Sequence, residues 1–153
     1  MATKALTTAN LNSMLKNYEI FMGTFPSDQI QIQKSIYPQA FIVNTEPGTS
    51  DGEHWTALIV SGRKCFFFDP LGCKMLNVFL LETLKSVGIT EYKYNSCQIQ
   101  SIFSNNCGYY CAAFILSFVC GYSYPRFMST FVTRIKQNDR ICFQFIKKHL
   151  NKQ

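Results

Sequence analysis

Apolar residues fall in short blocks whose spacing changes along the chain. Leu11, Met14 and Leu15 recur at helical intervals behind Thr7 and Thr8, either of which can cap, so a short helix through about Asn17 is predicted. A turn-rich stretch around Gly23, Pro26 and Ser27 follows. Residues 40–43, Ala-Phe-Ile-Val, read as a buried strand that Asn44 and a Pro/Gly-containing loop over 46–52 terminate. Residues 55–60 and 65–69 are two further apolar runs flanking Ser61-Gly-Arg-Lys64. They predict a hairpin with Gly62 and Arg63 in the turn, stopped by Pro70 because proline offers no ladder donor.

Beyond the hairpin the period lengthens again. Met75, Val78, Phe79 and Leu84 mark a helix over 75–86 closed by Gly88, and residues 92–100 alternate as a strand would. No residue from Ser101 to Pro125 is charged. Its purely apolar part, 108–120, is too short to span a bilayer and predicts a helix buried all round, ending at Gly121. A last amphipathic helix begins near Asn138, with Ile141, Phe145 and Ile146 on one side and Lys147 and Lys148 on the other. With no repeat or linker, these elements predict one α+β domain over 1–153, a small mixed sheet packed on a central buried helix.

Composition narrows the class. The chain has 153 residues, 47% of them hydrophobic and 16% charged, enough for a packed core and too apolar for disorder. Seven cysteines, an odd number in a chain of this size, argue against a fully paired secreted scaffold. The two histidines stand far apart and Cys107/Cys111 has no matching second pair, so no metal site is expected. The segment MATKALTTAN has no apolar signal-peptide core. The expectation is an intracellular, non-membrane protein with reduced thiols. Its net charge of +6 is localised: residues 126–153 carry seven basic residues against Asp139 alone, while basic and acidic residues balance over 1–125.

Nucleophilic chemistry by a cysteine requires a base to make the thiolate, a group to orient that base, and donors for the oxyanion. Cys107 follows Asn105 and Asn106 at the predicted start of the buried helix, where the helix dipole favours an anion. If Gly62-Arg63 is a two-residue turn, Thr56 faces Asp69 across the hairpin. His54 and Asp69 are then diagonal neighbours on one face, with Cβ atoms about 7–8 Å apart. Gln100, seven residues before Cys107, can offer an amide donor to the oxyanion; Gln98, on the same side of the predicted strand, is the alternative. His149 is a rival base, but stands among Lys147, Lys148 and Lys152 with no acid nearby. Asp69 also suits a turn cap before Pro70. Cys111, one turn from Cys107, reads as core.

Five blocks occur in an order that resembles the adenain family, the adenovirus-type cysteine endopeptidases related to proteases of ubiquitin-like proteins. They are Phe21-Met-Gly-Thr24, Ile42-Val-Asn-Thr45, Gly52-Glu-His-Trp55, Phe67-Phe-Asp-Pro-Leu-Gly72, and Gln100 with Asn106-Cys-Gly-Tyr-Tyr-Cys111. The resemblance implies that family's fold, with His54 as base, Asp69 as its orienter, Cys107 as nucleophile and Gln100 in the oxyanion hole. Trp55, Gly52 and Asn44, inside the same blocks, are the expected substrate contacts. Capsid and core precursor proteins are the implied substrates, cut after glycine in Gly-containing motifs, inside a virion or the host cell.

Two departures from the family pattern matter. Aspartate stands at 69 where adenovirus enzymes carry glutamate, as in the ubiquitin-like-protein branch. No cysteine lies near Gly88 and Ile89, the region matching the family's disulfide-tethered peptide, so any peptide activator is expected to be non-covalent. No chemical cofactor is required and a monomer is expected. The basic end reads either as a solvated helix face or, through Arg140, Lys147 and Lys148, as a DNA contact of the kind the family uses. The same residues also admit a deconjugating protease, an effector-type acetyltransferase with the same triad, or a non-enzymatic nucleic-acid-binding virion protein.

Overall fold

The computed structural model describes residues 4–45, 48, 54–75 and 77–151. Thr7 caps α1 (Thr8–Leu15), its hydroxyl accepting from the Asn10 amide at 3.1 Å while the Asn10 side chain accepts from the Thr7 amide. The strands β1 (Phe21–Pro26), β2 (Gln39–Asn44), β3 (Trp55–Ser61) and β4 (Lys64–Phe68) follow, then α2 (Val78–Ser86) and the two-residue β5 (Lys93–Tyr94). The remaining elements are α3 (Cys107–Val119), α4 (Tyr124–Met128), a 3₁₀ turn at Ile135–Gln137, and α5 (Asn138–His149). The sheet is mixed, in the order β1-β2-β3-β4-β5, with β1/β2 and β4/β5 parallel and the central pairs antiparallel.

Alternation along the central strands sends side chains into two cores. Ala40, Ile42, Ala57, Ile59 and Phe68 face α3, where Phe114 stacks on Phe68 with ring centroids 4.9 Å apart. Phe41, Val43, Leu58, Val60 and Phe67 face the other way, against Leu80 and Leu84 of α2. A strand covered on both faces reads as an unbroken apolar run, which is why 40–43 and 57–60 were legible. The helix α3 is the centre of the larger core: nine of its residues, Gly108 and Tyr110–Ser117, are buried. It ends as expected at Gly121, whose φ of +82° is a left-handed stop.

The hairpin has the predicted register, with Ser61 opposite Lys64 and Ala57 opposite Phe68. Two other expectations are corrected. The turn-rich stretch around Gly23 and Pro26 is strand β1, a half-exposed parallel edge. Its bulge at Gly23 (φ +135°) hid the period-2 pattern, and a Cβ there would approach the Phe25 ring to 2.9 Å. The strand expected over 92–100 shrinks to β5, because the Asn95 side chain takes over as partner of the neighbouring backbone. Gln98 and Gln100 are therefore not on one strand face. Gln98 is exposed and donates to the Gln100 carbonyl, whereas the Gln100 side chain is buried. The loop predicted over 46–52 lies, Gly48 apart, outside the described residues, and so does Gly52.

Candidate active site

His54 stands just before β3 and Asp69 just after β4, so the two-residue turn fixes their common face. His54 Nε2 meets Asp69 Oδ1 at 2.7 Å. The same carboxylate oxygen accepts the Leu71 amide at 2.8 Å, so Asp69 closes the turn before Pro70 and also engages the imidazole. The Asp69 backbone is gripped in turn by Asn95, which accepts its N–H at 3.0 Å and donates to its carbonyl at 2.5 Å. Tyr124 donates to both Asn95 Oδ1 (3.2 Å) and the Phe67 carbonyl (2.9 Å). Asp69 is 5% exposed and Asn95 4%, so this clamp operates away from water, where a missing partner is costly.

Cys107 is the first residue of α3 and is half-buried at the cleft wall. With Nε2 on Asp69, the hydrogen bond between His54 and the Cys107 side chain falls to Nδ1. The Trp55 amide donates to Cys107 Sγ at 3.4 Å. Burial opposes charge on His54, but hydrogen bonds and charge from Asp69 and Cys107 outweigh it and raise its pKa from 6.5 to about 9. His54 is thus an imidazolium at neutral pH, aimed at a sulfur at a helix N-terminus. Burial pushes the Cys65 thiol up to about 12, and pushes those of Cys111 and Cys142 well up as well.

Gln100 reaches the same cleft from the segment before α3. Its amide donates to the Ser104 carbonyl at 3.0 Å, and the second N–H of Nε2 remains for another acceptor. The Pro70 carbonyl accepts both the Ile99 amide (2.9 Å) and the Gln100 amide (3.1 Å), which ties this segment to the turn after Asp69. Gly72 makes the approach possible. Its φ is +75°, and a Cβ would come within 2.8 Å of the Cys97 and Gln98 backbone.

Sequence reasoning missed a second tie. Asp139, at the start of α5, accepts from Tyr110 (2.7 Å), Asn106 Nδ2 (2.8 Å) and the Ser104 hydroxyl (3.0 Å to Oδ2, 3.2 Å to Oδ1). One carboxylate thereby pins the later half of the loop between Gln100 and Cys107 to the first turn of α3. The available signal was an isolated acid in an otherwise basic block.

His54, Cys107, Gln100, Trp55 and Asn44 line one cleft of about 620 Å³. Of the expected substrate contacts, Trp55 and Asn44 are at the cleft. The segment 5–8, which no motif flagged, lines the cleft too; the Trp55 indole donates to the Leu6 carbonyl at 3.1 Å. His149 is not at the cleft. Its Nε2 lies 3.2 Å from the Tyr122 hydroxyl and its ring packs on Phe145. A larger cavity of about 760 Å³, between β5 and α4, contains none of the triad residues. Arg140, Lys147 and Lys148 lie exposed along one side of α5, whose other side (Cys142, Phe145, Ile146) is in the core.

Residues 20–138 match the model of the adenovirus endoprotease family, and the match contains every residue of the His54–Asp69–Gln100–Cys107 group. The chain belongs to that family. Among adenovirus endoproteases it is similar to the protease of bovine adenovirus 4, at 30% identity over 112 residues, 64% of this chain and 56% of that protein. It thus spans little more than half the length of this curated relative. The ASFV pS273R protease shares the fold, with a TM-score of 0.65, 18% identity, and coverage of 95% of this chain and 67% of that one. The Chlamydia abortus effector protein ChlaDUB shares it more loosely, with a TM-score of 0.51, 17% identity, and coverage of 72% and 57%. The expected α+β protease fold is therefore present, a five-stranded mixed sheet against a buried helix that starts at a cysteine.

Proposed function

We propose that this adenovirus endoprotease relative is a viral cysteine endopeptidase that matures capsid or core precursor proteins by cutting after glycine. The observation that carries the reading is the hydrogen-bonded series Asp69–His54–Cys107, with Gln100 in the same cleft. In this mechanism the Cys107 thiolate attacks the scissile carbonyl carbon, and the C–S bond forms as the carbonyl electrons move to oxygen. The second Gln100 N–H and the Cys107 amide at the helix start receive that oxyanion. The C–N bond then breaks, and His54 Nδ1 gives its proton to the leaving amine. Neutral His54 next takes a proton from water as its oxygen attacks the thioester. The C–S bond breaks, which restores the thiolate and the imidazolium.

Asp69 holds the imidazole so that Nδ1 stays on the sulfur, and its negative charge favours the protonated ring. Trp55 and Asn44 border the bound chain, and Gly52 is carried over by its motif alone. The test is a peptide carrying a thiol-reactive group at the scissile position. It should label Cys107 in the native protein and lose that labelling in His54→Ala. An unlabelled Cys107 in folded protein would refute the reading. Cleavage of a Gly-Gly capsid-type peptide but not of a ubiquitin-like fusion supports the maturation role; the reverse preference moves the enzyme to the deconjugating class, which Asp69 in place of glutamate favours.

The proposed setting is the virion and the host cell, with the enzyme a monomer that needs no metal. DNA is proposed as a partner through Arg140, Lys147 and Lys148, because all three project from the outer side of α5 while its inner side is anchored. Affinity for duplex DNA should fall steeply with salt and drop when Lys147 and Lys148 are replaced. Binding insensitive to both would remove DNA from the scheme. A peptide activator, if used, is proposed to act without a disulfide.

A further inference from the structure

Ile102 and Phe103 are the two most exposed large hydrophobic residues among those described, at 71% and 90%. They are adjacent in sequence, and Ile102 lines the same cleft as Cys107 and His54. Their exposure does not come from a slack chain. The Ser104 amide donates to the Ser101 carbonyl at 3.0 Å, the Phe103 amide to the Ser101 hydroxyl at 3.2 Å, and the Ser104 hydroxyl to Asp139. A tight turn held on both sides therefore presents two apolar side chains to water, Ile102 on the cleft lining and Phe103 next to it in the same turn. Isolated exposed hydrophobics are ordinary on a protein surface; a fixed pair beside a reaction cleft is a ready-made contact.

The rest of the cleft indicates what that contact takes. Among the described residues, the lining includes no lysine, arginine, aspartate or glutamate; its polar members, besides His54, are neutral amides and hydroxyls such as Gln100, Asn44, Ser101 and Thr8. The described lining thus offers a bound chain shape, hydrogen bonds and apolar burial. We propose that Ile102 and Phe103 form an apolar docking rim for the polypeptide substrate, selecting a chain that carries an apolar side chain beside the scissile bond. This rests on the endopeptidase reading and adds a specificity element to it. The occupant is the substrate itself, because the rim is continuous with the cleft in which the scissile bond must lie.

The test compares the wild type with Phe103→Ser, Ile102→Ser and the conservative Phe103→Leu on a peptide library. The library varies the residues flanking a constant cleavage motif. Both positions face water, so removal of an apolar group there leaves the core intact, and the alkylation rate of Cys107 by iodoacetamide checks that the site persists. Burial of a side chain of this size is worth enough that Phe103→Ser should lower kcat/KM about tenfold or more on apolar-flanked peptides. The loss should appear in KM, be small on polar-flanked peptides, and be largely recovered in Phe103→Leu. In the inactive Cys107→Ala background, labelled peptide should bind correspondingly more weakly by fluorescence anisotropy.

Wild-type cleavage with equal kcat/KM in all variants overturns the rim while it leaves the endopeptidase reading intact. No cleavage of any peptide by the wild type overturns the endopeptidase reading and the rim with it. Unchanged kinetics with a lost dimer in sedimentation, or with lost binding to phosphatidylcholine vesicles, reassigns the two residues to self-association or a lipid surface and overturns the substrate role.

Discussion

Asp139→Ala tests the way α5 holds the reaction loop. The substitution removes the only partner described for Asn106 Nδ2 and for the Tyr110 hydroxyl, in side chains of residues that are 5% and 0% exposed. A buried donor left without an acceptor costs about 1–3 kcal/mol, so these two together give a loss of about 2–6 kcal/mol. The half-buried Ser104 hydroxyl can turn to water and adds little. That is a large part of the 5–15 kcal/mol typical of a domain, and urea unfolding followed by tryptophan fluorescence at the single Trp55 measures it directly. Tyr110→Phe in the same background should restore part of the loss, because it deletes one orphan donor. Activity should fall more than the folded fraction explains, since Ser104, which Asp139 holds, is the residue whose carbonyl fixes the Gln100 amide. An Asp139→Ala protein within 1 kcal/mol of the wild type would refute the hub, as would failure of Tyr110→Phe to recover any stability.

Three further outcomes follow from the geometry. His54 carries a folded pKa of about 9 against 6.5 unfolded, so its stabilising proton is fully counted below pH 6.5 and lost as pH rises through about 9. Wild-type stability should fall across that window by up to about 3 kcal/mol more than that of His54→Ala, and parallel pH profiles would contradict the raised pKa. Gln100→Ala should cut kcat about 10²–10³-fold with KM little changed, as expected for a donor used in the transition state; a pure KM effect would make Gln100 a substrate contact instead. Gly72→Ala must relieve a 2.8 Å clash with backbone and adopt a positive φ, so the midpoint of thermal unfolding should drop clearly, and an unchanged midpoint would show that the two turns are not tightly docked.

The parts legible in the sequence were those fixed by local rules. A two-residue turn at Gly62 dictates which face His54 and Asp69 share, and the uncharged run before Gly121 could only be a buried helix. The contacts between distant segments were not legible. Asn95 replaces a strand ladder through side-chain hydrogen bonds, which no period in the sequence encodes, and so the strand expected over 92–100 largely vanished. Strand β1 was hidden because a bulge breaks its alternation and the parallel partner lies across a crossover. Asp139 was visible as an exception in a basic block, but its three donors come from residues 104–110, some thirty positions away. The segment 5–8 lines the cleft through contacts with distant residues, Trp55 and Gly108 among them.

The Pro70 carbonyl accepts two successive amides, those of Ile99 and Gln100, while Asn95 clasps the backbone of Asp69. The stretch that bears the acid and the stretch that bears the amide therefore behave as a single mechanical part. In amide hydrogen exchange Asp69, Ile99 and Gln100 should open together, near the energy of global unfolding, with no cheaper local route between them. Between these two stretches there is then no soft joint for an effector to loosen or tighten. For the proposed endopeptidase, an activator would then act on access to the cleft rather than on the spacing of these two groups.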